Sequence, residues 1–394
     1  MEVTIPLFLL FVGFWLHCCF TKYYVFRLSL VESIPEGHMY PPNVTHMPTK
    51  NAWLDLIDEA QSSIEIASYY WNLRFNEGYP YNSSVEGEQV FQALLNAGTK
   101  RRIKLKIAQN WPSKQYPNMD SEYLVRKKAA QVRSLNFSKL LGGGVLHTKF
   151  WLVDRAHFYI GSANMDWRSL NQVKELGLVA YNCSCLAKDL GKIFDVSIKY
   201  IFYSPPPLSP AGRTNDDDAI VHIISTAEEF VYISVMDYSP VIEYSPKLKF
   251  WPKIDDAIRT AAIEHQVHVR MLISWWQHSA PAEENYLASL AALAVSHNFI
   301  LYPQRRFIVP STPEQDKIPF ARVNHNKYMV TDKTAYIGTS NWYGDYFTDT
   351  AGVAIVYSPQ EHTSYNTSVD IRRQLQEVFE RDWNSPYAVP LRRL

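Results

Sequence analysis

One phrase occurs twice in this chain, as HTKFWLVDRAHFYIGSAN from His147 to Asn164 and as HNKYMVTDKTAYIGTSN from His325 to Asn341. Each copy reads His-x-Lys, four residues, Asp, five or six residues, then a glycine with an asparagine three positions on. A chain that repeats this much spacing must build the same local structure twice. Histidines at 147 and 325 lie much farther apart than any solenoid period, so the repeat points to two domains rather than to an array.

The surroundings repeat as well. Ala52 to Gln61 carries apolar residues at helical spacing and runs into Ser63-Ile-Glu-Ile-Ala-Ser, which alternates as a strand does. Ala219 to Glu228 followed by Phe230-Val-Tyr-Ile-Ser-Val answers it in the second half. Ile103 to Ile107 and Val267 to Ile273 form a further matched pair, each strand-like and each followed by tryptophan, Trp111 in one case and Trp275 and Trp276 in the other. This alternation predicts two α/β units, each a mixed sheet flanked by helices, related by a pseudo-twofold axis with the cleft between them. The boundary is expected at Ser204 to Pro210, whose four prolines suit neither helix nor central strand, giving units over 21–203 and 204–394.

On a strand, residues two apart share a face, so His147 and Lys149 point together, as do His325 and Lys327. Asp154 and Asp332 end those strands, and the small residues before Asn164 and Asn341 allow close backbone approach to a ligand. Two histidines, two lysines and two asparagines facing one another suit a tetrahedral phosphoryl centre. Lysines supply charge and asparagines supply amide donors to the non-bridging oxygens. One imidazole attacks phosphorus while the other, protonated, donates to the leaving oxygen, after which the two exchange duties with water. Lysine cations do the neutralising that a metal does elsewhere, so neither metal nor cofactor is expected. Glu175 and Asp349 are candidate carboxylates to orient the two rings. With an unperturbed histidine pKa of about 6.5, an acidic to neutral optimum is expected. Which histidine attacks is left open by the motif.

Basic and acidic residues balance at 39 each, which excludes capture of an anionic partner by overall charge. The apolar run at residues 1–20 reads as a signal peptide or a short signal anchor. Lys22 and Arg27 follow that run and would favour a cytosolic body, whereas sequons at Asn43, Asn82, Asn136, Asn182 and Asn366 argue for a lumenal one. In the body only Cys183 and Cys185 remain, too close for an unstrained bridge and lacking the second pair that a zinc site needs.

The paired motif resembles the HKD motifs of the phospholipase D superfamily. LVESIPEG (Leu30 to Gly37), IASYYW (Ile66 to Trp71), GSANMDWRSLNQVKELG (Gly161 to Gly177), FWPKIDDAIR (Phe250 to Arg259) and RDWNSPY (Arg381 to Tyr387) bring it closest to the phospholipase D3/D4 subgroup and its poxvirus relatives. The resemblance implies two phospholipase-D-like domains and passage from the endoplasmic reticulum to the lysosome, membrane-anchored or secreted and N-glycosylated. It also implies 5′ to 3′ exonuclease action on single-stranded DNA and RNA through a phosphohistidine. In that scheme His147 is the nucleophile and His325 the general acid, while Lys149, Lys327, Asn164 and Asn341 hold phosphate. Asp154 and Asp332 are structural members of the motif. Tyr69, Tyr70, Trp71, Trp167, Trp342 and Tyr343 are candidate base-stacking residues. Two other readings stand beside this one: hydrolysis of phospholipid or transfer of its phosphatidyl group, and a catalytically silent binding protein. Expected partners are single-stranded nucleic acid or phospholipid, the membrane through an uncleaved N-terminus, and a second copy of the chain.

Overall fold

A computed structural model describes residues 26–74, 82–114, 117–199, 213–244, 247–296, 304–359 and 370–391. The apolar run at 1–20, the proline-rich boundary at 204–210 and the Asn366 sequon lie outside the described residues.

Two mixed sheets form the frame. The first has eight strands in the order Met47–Pro48, Arg27–Ser33, Glu175–Tyr181, His157–Gly161, Phe150–Val153, Ser63–Ser68, Lys104–Asn110 and Ala130–Leu135. The second has seven, in the order Ala354–Tyr357, Ala335–Gly338, Lys327–Thr331, Phe230–Val235, His268–Ser274, Arg305–Phe307 and Ala388–Pro390. From Glu175–Tyr181 onward the first sheet matches the second strand for strand, with antiparallel pairing around each HKD strand and parallel pairing beyond it. The repeated sequence therefore builds a repeated sheet. Matched helices flank both, Thr49–Glu59 and Val85–Thr99 in the first half, Asp216–Thr226 and Lys253–Ile263 in the second.

Strand alternation divides each HKD strand between two cores. Phe150 and Leu152 face a central core shared by both sheets, while Trp151 and Val153 face the outer core beneath Thr49–Glu59, where Trp53 stacks on Trp151 at 5.1 Å. In the second sheet Tyr328 and Val330 enter the central core and Met329 the outer one. These strands are buried on both faces, which is why they read as nearly continuous apolar runs. The central core also takes Phe194 from helix Ser184–Lys199 and Leu375 and Phe379 from helix Ile371–Trp383. It thus joins the two halves into one hydrophobic unit.

Candidate active site

Each HKD histidine is held by backbone bonds from the opposite half. His147 N–H donates to the Ala351 carbonyl at 2.9 Å and Ala351 N–H to Val145 at 2.9 Å. His325 N–H likewise donates to the Lys174 carbonyl at 2.8 Å, and Lys174 N–H to Val323 at 2.9 Å. The two bridges bring residues far apart in sequence into one cleft. Lys149 Nζ folds back onto the His147 carbonyl at 2.7 Å and Lys327 Nζ onto the His325 carbonyl at 2.8 Å. All four side chains are buried.

The two imidazoles differ in what holds Nδ1. His147 Nδ1 lies 2.9 Å from the Thr339 carbonyl, which can only accept, so Nδ1 carries the proton and Nε2 keeps a lone pair. His325 Nδ1 lies 2.8 Å from Glu175 Oε2, which also accepts 2.5 Å from Ser162 Oγ. Glu175 is fully buried and comes from the opposite half. Burial first, then Lys149, Lys327 and His325, hold the His147 pKa well below its ordinary value. Burial also lowers His325, to about 4, against the opposing pull of Glu175. Lys149 is pushed well down by burial and by Lys327, and Lys327 itself falls to about 8 by burial. The cleft is therefore a desolvated cationic site that a phosphodiester anion would relieve.

Sequence-predicted residues fall into two groups. His147, Lys149, His325, Lys327, Asn164, Asn341 and Glu175 are buried at or beside the cleft. Asp154 and Asp332 are not brought to it. Asp154 accepts from the amides of Gln61, Ser62 and Ser63 at 2.7, 2.9 and 2.7 Å, and Asp332 from those of Glu228, Glu229 and Phe230. They tie each HKD strand to the turn before the neighbouring strand. Asp349 also departs from expectation, since the Thr339 carbonyl, not a carboxylate, meets His147. With Gly161 paired to Gly177 and Gly338 to Ala354, the counterpart of Glu175 is Gly352, where an added Cβ would lie 2.0 Å from Ser340 Oγ. No carboxylate fits there.

Trp71, Trp167 and Trp342 pack into the interior at 2%, 3% and 1% exposure, so none of them is a stacking platform. Tyr69 does reach the site, its ring 5.2 Å from that of His147, with Tyr346 at 5.0 Å on another side. Asp237 was not anticipated. It accepts from Asn341 Nδ2 at 2.7 Å, and burial raises its pKa to about 6 against the pull of Lys327 and Arg306. Its counterpart in the first half is Tyr70, so the internal repeat offers no signal for it.

The family described as PLD3/4, PLD-like domain, matches residues 42–204 and 197–312. The chain belongs to this family. Among relatives of this phospholipase-D-like chain, the 5′-3′ exonuclease PLD3 of Xenopus laevis is 47% identical over 92% of the chain and 80% of that protein. The 5′-3′ exonuclease PLD4 of Mus musculus is 41% identical over 93% of the chain and 80% of its own length. The phosphatidylserine synthase of Haemophilus influenzae Rd KW20 shares the fold, with a TM-score of 0.59, 12% identity, and coverage of 86% of this chain and 85% of that one.

Proposed function

We propose that this phospholipase-D-like chain is a phosphodiesterase that degrades single-stranded nucleic acid from the 5′ end, with His147 as nucleophile and His325 as general acid. The observation that carries the assignment of roles is the unequal pair of Nδ1 partners. A carbonyl leaves His147 neutral with its Nε2 lone pair available, while the Glu175 carboxylate stabilises an imidazolium at His325. The relatives named 5′-3′ exonuclease support the substrate and direction.

Binding of the diester anion between Lys149 and Lys327 raises the pKa of both rings. Nε2 of His147 forms a bond to phosphorus as the bond to the leaving oxygen breaks, and His325 delivers its proton to that oxygen. His325, now neutral, takes a proton from water, whose oxygen attacks phosphorus and displaces His147. The lysines, with Asn164 and Asn341, meet the non-bridging oxygens throughout. Asp154 and Asp332 keep the strands in register.

The division into 21–203 and 204–394, with a signal or anchor at 1–20, belongs to the same reading, as does a lumenal, glycosylated, lysosomal setting. Asn43, Asn82 and Asn182 are exposed and Asn136 is half-buried, and among the described residues no helix is long and apolar enough to cross a membrane. The test is release of mononucleotides from single-stranded oligonucleotides with free 5′ ends near pH 5.5, about one unit below the free histidine value. Wild type should shorten the strand from that end, and His147→Ala should abolish cleavage. A folded wild type that leaves the strand intact would refute the reading.

A further inference from the structure

A short hairpin stands beside the cleft and exposes apolar side chains that the described residues leave uncovered. Val241–Ile242 pairs antiparallel with Lys249–Phe250, Val241 opposite Phe250 and Ile242 opposite Lys249. Its base is tied to the segment that follows Asn341. Asp345 accepts from the amides of Glu243 and Tyr244 at 2.7 and 2.8 Å, Gly344 N–H donates to Val241 at 2.9 Å, and Trp251 stacks on Phe347 at 5.4 Å. From this base Tyr244, Leu248 and Phe250 project with 72%, 67% and 73% exposure. Lys247 and Lys249 lie between them, also exposed. Asp345, which holds the Glu243 and Tyr244 amides, directly precedes Tyr346, whose ring lies 5.0 Å from that of His147, so the hairpin flanks the mouth of the site.

We propose that this hairpin docks the mouth of the active site on an anionic phospholipid bilayer. Isolated exposed apolar residues need no explanation, but three large ones within one anchored turn do. The side chains are those of an interfacial anchor: Leu248 and Phe250, two residues apart, enter the acyl boundary, Tyr244 sits at headgroup depth, and the two lysines meet lipid phosphates. No described residue from Tyr244 to Phe250 is acidic. A second copy fits less well, because a twofold contact through this tip would set lysine against lysine. A nucleic-acid strand fits less well too, because Leu248 offers no π face for a base. The proposal does not rest on the nucleic-acid reading of the site.

The full chain carries an apolar N-terminal run that would hold it on any vesicle, so the measurement is made on the hairpin itself. Amide hydrogen exchange across Val241 to Trp251 is followed with phosphatidylcholine vesicles and with phosphatidylcholine–phosphatidylserine vesicles. Mononucleotide release from a soluble oligonucleotide is measured in parallel. Anionic vesicles should slow exchange in the hairpin and neutral ones should not, with salt reversing the effect. The double variant Leu248→Ser, Phe250→Ser should weaken this partitioning by about tenfold or more while leaving oligonucleotide cleavage unchanged. Lys247→Glu with Lys249→Glu should remove the preference for anionic lipid. Protection equal in wild type and the serine variant, or protection absent on both vesicles, overturns the proposal. So does concentration-dependent self-association that the serine variant abolishes, or loss of oligonucleotide cleavage in place of lipid protection; these assign the hairpin to a second copy or to the nucleic acid. Failure of the exonuclease reading would appear separately, as an inactive wild type.

Discussion

At the scale of single residues, the site depends on one carboxylate that cannot be duplicated. Glu175 stabilises the protonated form of His325, and removing its charge lowers the pKa of that ring further. In the proposed role of general acid His325 must be protonated, so activity should fall as pH rises through its pKa. Glu175→Gln should therefore move the alkaline limb of the kcat profile to lower pH and reduce kcat by about 10²–10³-fold, within the range ascribed to general acid catalysis. An unchanged profile would separate Glu175 from the proton transfer. Without ligand, His325 folded at about 4 against 6.5 unfolded makes the native state bind fewer protons than the unfolded one between those values. Stability should thus fall as pH drops through that window, by about 1.4 kcal/mol for each unit of separation. Melting temperatures of wild type and His325→Gln across that range should show a shallower acid slope in the variant.

At the scale of elements, the segment that delivers His147 is shaped by two glycines with left-handed backbone. Gly142 (φ +84°) ends helix Phe137–Leu141, and an added Cβ would meet nothing within 4 Å. Gly144 (φ +76°) is different, because a Cβ there would stand 1.9 Å from the Asp349 carbonyl. Gly142→Ala should cost about 1 kcal/mol of strain. Gly144→Ala should cost about 1–3 kcal/mol and also separate His147 from the Ala351 bridge, so that kcat falls with stability. Denaturant unfolding and oligonucleotide cleavage of both variants check the difference. The HKD strands themselves were legible from spacing, since period-two alternation is a local property of the chain. The bridges at Leu146–Ala351 and Lys174–Asn324 were not, because no local pattern records which backbone groups meet across the molecule.

At the scale of the whole molecule, the two halves are locked by buried charge as well as by the central core. Lys174, next to Glu175, pairs with Asp382 of helix Ile371–Trp383 at 2.7 Å, with both side chains fully buried. Arg381 beside it pairs with Glu32 of the first sheet at 2.6 Å. Asp382→Asn should cost about 3–5 kcal/mol by leaving the lysine charge uncompensated, while Lys174→Met with Asp382→Leu should recover only part of that loss, because Arg381 also pairs with Asp382, at 2.9 Å, and would keep Glu32 alone. Thermal unfolding of the single and double variants provides the check. If the single variant proves as stable as wild type, the pair does not hold the halves together.

Two sheets, the recurrence of helix and strand in one order, the two HKD strands and the candidate site side chains on them were all determined by sequence, because each rests on local periodicity or on a motif written twice. The tertiary structure alone decided the rest. It separated Asp154 and Asp332 from the paired histidines and lysines by committing them to backbone amides. It buried Trp167 and Trp342, whose position in the motif says nothing of which face they occupy. It gave His325 a carboxylate and His147 a carbonyl, because only folding sets Glu175 and Thr339 against rings from the opposite half, and Gly352 leaves no room for a second acid.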